Sequence, residues 1–164
     1  MQMDFSLEES KIHLELMPIV KELLDEGKTV RNLPFRGFSM LPMLRQATDT
    51  VDLSPLPPKL KKYDLPVYRY PSGKIVMHRV VDVKDDHYVC LGDNTYQYEK
   101  IRYDQMIGLV TAFKRGEKYI EVDDLSYRIY CRIWVAIYPL RKVFRWAKDL
   151  LRRLLRGFLR RLRK

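Results

Sequence analysis

The sequence predicts a mainly β domain with an N-terminal helical segment and a C-terminal basic amphipathic helix. Three observations carry that prediction. Between residues 29 and 123, short runs rich in β-branched and aromatic residues alternate with Pro, Gly, Asp and Ser turns, the pattern of an all-β body. Ahead of them, Ser6-Leu7-Glu8-Glu9 reads as a capping box opening a helix. Behind them, apolar residues recur at three- and four-residue steps among arginines, a helical stripe. The expected segments are therefore 1–28, 29–123 and 124–164, and 164 residues suffice for one domain with appendages.

The first segment divides at Pro18. A helix from the capping box would run through His13, with Leu7, Ile12, Leu14 and Leu16 as apolar surface. A second, Pro18 to Glu26, places Ile19, Val20, Leu23 and Leu24 on one face and ends at Gly27, a residue suited to a helix C-cap. His13 has no partner in the sequence and reads as an ordinary helix histidine. Strands follow at Val30 to Arg36 and Thr50 to Leu53, the latter closed by the proline run Pro55 to Pro58. Leu65 to Tyr70 and Lys74 to Val83 flank a hairpin turn at Pro71-Ser72-Gly73, which places His78 in mid-strand. His87 to Leu91, Met106 to Phe113 and Tyr119 to Val122 complete the set, with Gly108 marking a bulge or a close backbone approach.

One stretch of the β body stands out chemically. In Arg36-Gly37-Phe38-Ser39-Met40-Leu41-Pro42, Gly37 frees the backbone just before the serine and Pro42 fixes it just after. That arrangement presents the Ser39 hydroxyl at a bend. A serine needs a base in hydrogen-bond reach, itself oriented by a third group, before it becomes a useful nucleophile. His78, in Met77-His78-Arg79-Val80-Val81, is the candidate base, and Asp93, in Gly92-Asp93-Asn94, the candidate orienter. A neutral imidazole is required to accept the serine proton, so activity is expected to fall on acidification through the ordinary imidazole range, about 6 to 7. His87 beside Asp85 and Asp86 does not amount to a metal site, because adjacent turn residues rarely converge on one ion. Neither a metal nor a cofactor is expected.

Gly-Phe-Ser-Met-Leu-Pro, His-Arg-Val-Val and Gly-Asp-Asn, in that order, resemble the type I signal peptidase family, whose superfamily also holds the LexA-type self-cleaving repressors. The resemblance covers roughly Thr29 to Lys114. It implies the signal peptidase/LexA-like β-fold and a serine endopeptidase acting on a signal or leader peptide of a protein precursor. The family uses a lysine base in most bacterial members and a histidine base in the archaeal and endoplasmic-reticulum type. His78-Arg79 matches the histidine type. Carried over, Ser39 is the nucleophile, His78 the general base and Asp93 the acidic partner. Two positions depart from the family. Gly37 replaces a small serine two residues before the nucleophile, leaving backbone amides for the oxyanion. Tyr63-Asp64 stands where the family has Gly-Asp.

Charge separates the tail from the body. Thirteen of the 31 Lys and Arg residues lie between Arg128 and Lys164, where Asp149 is the only acid. The first 127 residues therefore hold 18 bases and 20 acids and are close to neutral. The apolar stripe from Leu140 to Leu162, with Trp134, Trp146 and Phe158, suits the interface of an anionic membrane. A partner protein or the chain's own body is the other candidate for that stripe, which is too apolar to favour nucleic acid. Cys90 and Cys131 read as two reduced, buried thiols. The start of the sequence lacks a basic-then-apolar leader pattern, and no apolar run reaches membrane-spanning length. Peripheral attachment at the cytoplasmic face is the expectation. A LexA-like self-cleaving regulator is one alternative, disfavoured by the absence of a helix-turn-helix and of a lysine base. A non-catalytic membrane-surface binding module on a peptidase fold is the other.

Overall fold

The computed structural model describes residues 16–46 and 48–162. The Ser6–Glu9 capping box, the helix expected after it and His13 lie outside them. Helical residues 16–25 (α1) bury Met17, Val20 and Leu24, whereas Ile19, expected on the inner face, is exposed. Gly27, at φ +82°, ends the helix as expected. Its amide donates to the Leu24 carbonyl and that of Lys28 to Leu23, closing two orphan carbonyls.

Nine strands follow among the described residues: β1 (Val30–Pro34), β2 (Thr50–Ser54), β3 (Pro66–Arg69), β4 (Ile75–Met77), β5 (Arg79–Val83), β6 (Tyr88–Leu91), β7 (Glu99–Ile101), β8 (Met106–Arg115) and β9 (Lys118–Glu121). The larger antiparallel sheet runs β1-β2-β8-β3-β4, with β9 also paired to β8. The smaller is β5-β6-β7. β8 is long enough to hold β2 along one edge and both β3 and β9 along the other. Gly108 in β8 is a close approach: a Cβ there would lie 2.6 Å from Leu24 Cδ1 of α1. Helix then closes the chain as α2 (Leu125–Ala136) and α3 (Tyr138–Leu162). Strand and helix take similar shares of the described residues, so the fold is mixed, sheet-rich in the body rather than mainly β throughout.

One apolar core lies between the larger sheet and the helices, from Met17 and Leu24 through Leu53 and Phe113 to Tyr127 and Cys131. A second joins the sheets through Tyr68, Val80, Cys90 and Ile101. Three elements differ from the sequence expectation. The run Lys74 to Val83 is not one strand. β4 pairs with β3 in the larger sheet, and Arg79 begins the pairing of β5 with β6 in the smaller one. His78 is therefore the corner residue between two sheets, not a mid-strand residue. The strand β7 was not expected, and its three residues are too short for an alternation to be read.

The basic tail is not one helix either. Pro139 has no amide to give the Val135 carbonyl, so the ladder breaks between α2 and α3. Helical hydrogen bonds nevertheless bracket the break, from Ile137 to Ile133 and from Arg141 to Ile137. Among the described residues no helix is long and apolar enough to cross a membrane.

Candidate active site

The turn carrying Ser39 is anchored from below. Gly37 sits at φ +103°, a conformation side chains resist, and its amide donates to Gln46 Oε1 at 3.2 Å. Met40, Met43 and Leu44, just past the serine, are buried in the core. With its neighbours pinned, Ser39 stays half-buried at the rim of a cleft of about 340 Å3. The cleft walls include Leu33, Phe35, Met40 and Met77, and His78 and Glu99 face the same space. No side chain among the described residues bonds the Ser39 hydroxyl, which leaves it free toward the cleft.

The Gly-Asp-Asn segment clamps this turn. Asn94 donates its amide to the Ser39 carbonyl at 2.7 Å and its side-chain Nδ2 to the Phe38 carbonyl at 3.1 Å. Gly92 must be glycine for space. A Cβ built there would lie 2.8 Å from the Ser39 carbonyl oxygen and 3.0 Å from His78 Cδ2. The Ser39 carbonyl and the His78 ring thus lie against the same glycine, and among the described residues no hydrogen bond joins the Ser39 hydroxyl to His78.

His78 is buried and its orientation is set by two groups. Nδ1 lies 2.9 Å from Glu99 Oε2 and 3.0 Å from the Tyr68 hydroxyl, which itself donates to the same Glu99 oxygen. Burial would push the Glu99 carboxyl up, but hydrogen bonds from His78, Tyr68 and Tyr70 outweigh it and hold the group at about 2. Tyr68 is pushed far above its ordinary value by burial and by Glu99, so it remains a phenol and a donor. An ionised carboxylate only accepts hydrogen bonds, which assigns the proton of a neutral imidazole to Nδ1 and leaves Nε2 as the acceptor. That is the tautomer a general base requires.

Asp93, the expected partner of His78, is bonded elsewhere. Its carboxylate is occupied by Arg79, with Nε to Oδ1 at 3.0 Å and Nη2 to Oδ2 at 2.8 Å, and by the Tyr130 hydroxyl at 3.0 Å. A bidentate guanidinium beside a carboxylate out-competes an imidazole for it. Glu99, six residues further on, makes the bond to His78 instead. Arg79 is fully buried, and the Asp93 charge raises its affinity for the proton despite that burial. The guanidinium also donates to the Tyr127 hydroxyl and Cys131 Sγ, each at 2.8 Å, and lies 5.5 Å from the Tyr127 ring centre. Asp93 and Arg79 therefore fasten α2 to the clamp behind Ser39. Trp134 Nε1 adds a bond to the Asp93 carbonyl at 2.9 Å.

The remaining candidates stand apart from the cleft chemistry. Cys90 and Cys131 are buried free thiols. Burial, with Glu99 nearby, pushes the Cys90 thiol up to about 12, so it stays protonated. His87 bonds Asp86 at 2.6 Å on the surface. Among the described residues no group of three or more His, Cys, Asp or Glu could hold a metal ion. Tyr63, which departs from the glycine expected by resemblance, adopts φ +83°. Its strain, on the order of 1 kcal/mol, is offset by a bond from its amide to the Val80 carbonyl at 2.8 Å. Comparison of the chain with protein-family models and with curated proteins finds no match.

Proposed function

We propose that the chain is a serine endopeptidase of the signal peptidase/LexA-like kind that hydrolyses a peptide bond in a protein precursor such as a signal- or leader-bearing chain. The observation that supports it most is the convergence on one cleft of Ser39, His78 and Glu99, with His78 Nδ1 held by Glu99. Ser39 Oγ attacks the scissile carbonyl carbon while its proton passes to His78 Nε2. The imidazolium is stabilised by Glu99, which stays ionised. The oxyanion forms beside the Ser39 amide, a fixed dipole that favours the developing charge. Collapse breaks the C–N bond, and His78 returns the proton to the leaving amine. Water then attacks the acyl-serine with His78 again as base, releasing the acid and regenerating Ser39.

The cleft also fits an extended peptide. β1 and β4 are both edge strands of the larger sheet, and both contribute to its walls. Edge strands accept a peptide as an added strand, while the apolar walls take alternate side chains. A covalent serine-directed acylating probe tests the assignment by intact mass. One adduct is expected on the wild type and none on Ser39→Ala, with both showing the same far-UV dichroism and melting temperature. An equal adduct on Ser39→Ala removes the nucleophile assignment.

A further inference from the structure

We propose that α2 and α3 together form one docking face for an anionic bilayer surface, which goes beyond the peptidase reading and does not depend on it. The face is built by phase. Two hydrogen bonds, Ile137 to Ile133 and Arg141 to Ile137, bracket the break at Pro139. At 100° per residue, Leu125, Ile129 and Ile133 share an arc of about 80° on α2, and Leu140, Phe144 and Leu151 one of about 40° on α3. All six side chains are 46–73% exposed, so no described residue covers the stripe. It is also longer than the tail periodicity from Leu140 suggests, because α2 contributes its first half.

The opposite side of α2 is already occupied. Tyr127 and Cys131 are buried there, and Tyr130 and Trp134 bond to Asp93. At the start of α3 the Tyr138 hydroxyl donates to the Tyr96 carbonyl at 2.9 Å, and Arg141 donates to the Asp93 carbonyl. The bare apolar face and the face that grips the Asp93–Tyr96 loop are two sides of the same helices. A surface docked on the one would lie about one helix diameter, 10–12 Å, from that loop.

Charge selects the occupant. α3 carries nine Lys or Arg and α2 two, against Asp149 alone, whereas the first 127 residues are near neutral. A second copy of this face would set two strongly basic helices against each other. Anionic headgroups complement the bases while the acyl boundary takes the stripe.

Co-sedimentation of the full chain with phosphatidylcholine vesicles, with and without phosphatidylglycerol, tests this. Binding is expected to be at least about tenfold tighter with the anionic lipid, to weaken with added salt, and to be unchanged by Ser39→Ala. Ile133→Glu in α2 and Phe144→Glu in α3 are each expected to weaken it at least about tenfold. Dichroism and melting confirm that both surface variants fold. Equal partition onto neutral vesicles, or none onto anionic ones, overturns the proposal. So does retention on RNA, or self-association by light scattering, without vesicle binding. Loss with Phe144→Glu but not with Ile133→Glu overturns the joint face and confines docking to α3.

Discussion

Glu99, Tyr68 and His78 share three hydrogen bonds around one carboxylate oxygen, and that sharing is what gives His78 a defined tautomer. The same bonds tie stability to pH. The Glu99 carboxyl is lowered to about 2 in the folded chain. An unfolded glutamate titrates near 4.3, so Glu99 adds stability that is complete above that value and lost as pH falls from there toward 2. Melting temperatures recorded from about pH 5 downward should fall more steeply for the wild type than for Glu99→Gln. Parallel curves would contradict the hydrogen-bonded carboxylate. Ser39 and His78 are legible in the sequence because glycine, serine and proline crowd one turn and a histidine sits beside an arginine. Glu99 is not. It lies in a three-residue strand, and nothing in its spacing separates it from Glu117 or Glu121. Gly-Asp-Asn draws attention to Asp93 instead, because a short turn motif is visible where a through-space partner is not.

At the scale of elements, the buried Arg79–Asp93 pair joins three pieces: the corner between the sheets, the clamp behind Ser39, and α2. Removing one partner of such a pair leaves the other charge buried, at a cost of about 3–5 kcal/mol. Asp93→Asn should therefore lower the melting temperature by roughly 10 °C. An unchanged temperature would mean that the pair does not fasten α2. Replacing both partners by apolar residues of similar volume should recover much of the loss, since no lone charge then remains. The strand break at His78 escapes the sequence for a related reason. Lys74 to Val83 has one continuous β pattern, and only pairing partners far along the chain, Val67 and Leu91, assign its halves to different sheets.

For the molecule as a whole, two halves of different character meet at one clamp. The sheet body with α1 is near neutral and carries the cleft, while α2 and α3 are basic and bear an apolar stripe that no described residue covers. Most strand positions and the Gly27 helix end follow from local turn chemistry and alternation, which a sequence displays directly. The docking of α2 does not, because its tyrosines and Trp134 read as one more turn of an amphipathic tail until Arg79 and Asp93 are placed beneath them. In the proposed peptidase Glu99, and not Asp93, orients the base. The most direct test is the rate of covalent labelling by the serine-directed probe, compared for the wild type, Glu99→Gln and Asp93→Asn at a temperature where all three are folded. Glu99→Gln should slow labelling about a hundredfold or more, and Asp93→Asn should change it only a few-fold. A fast Glu99→Gln with a slow Asp93→Asn would return the orienting role to Asp93.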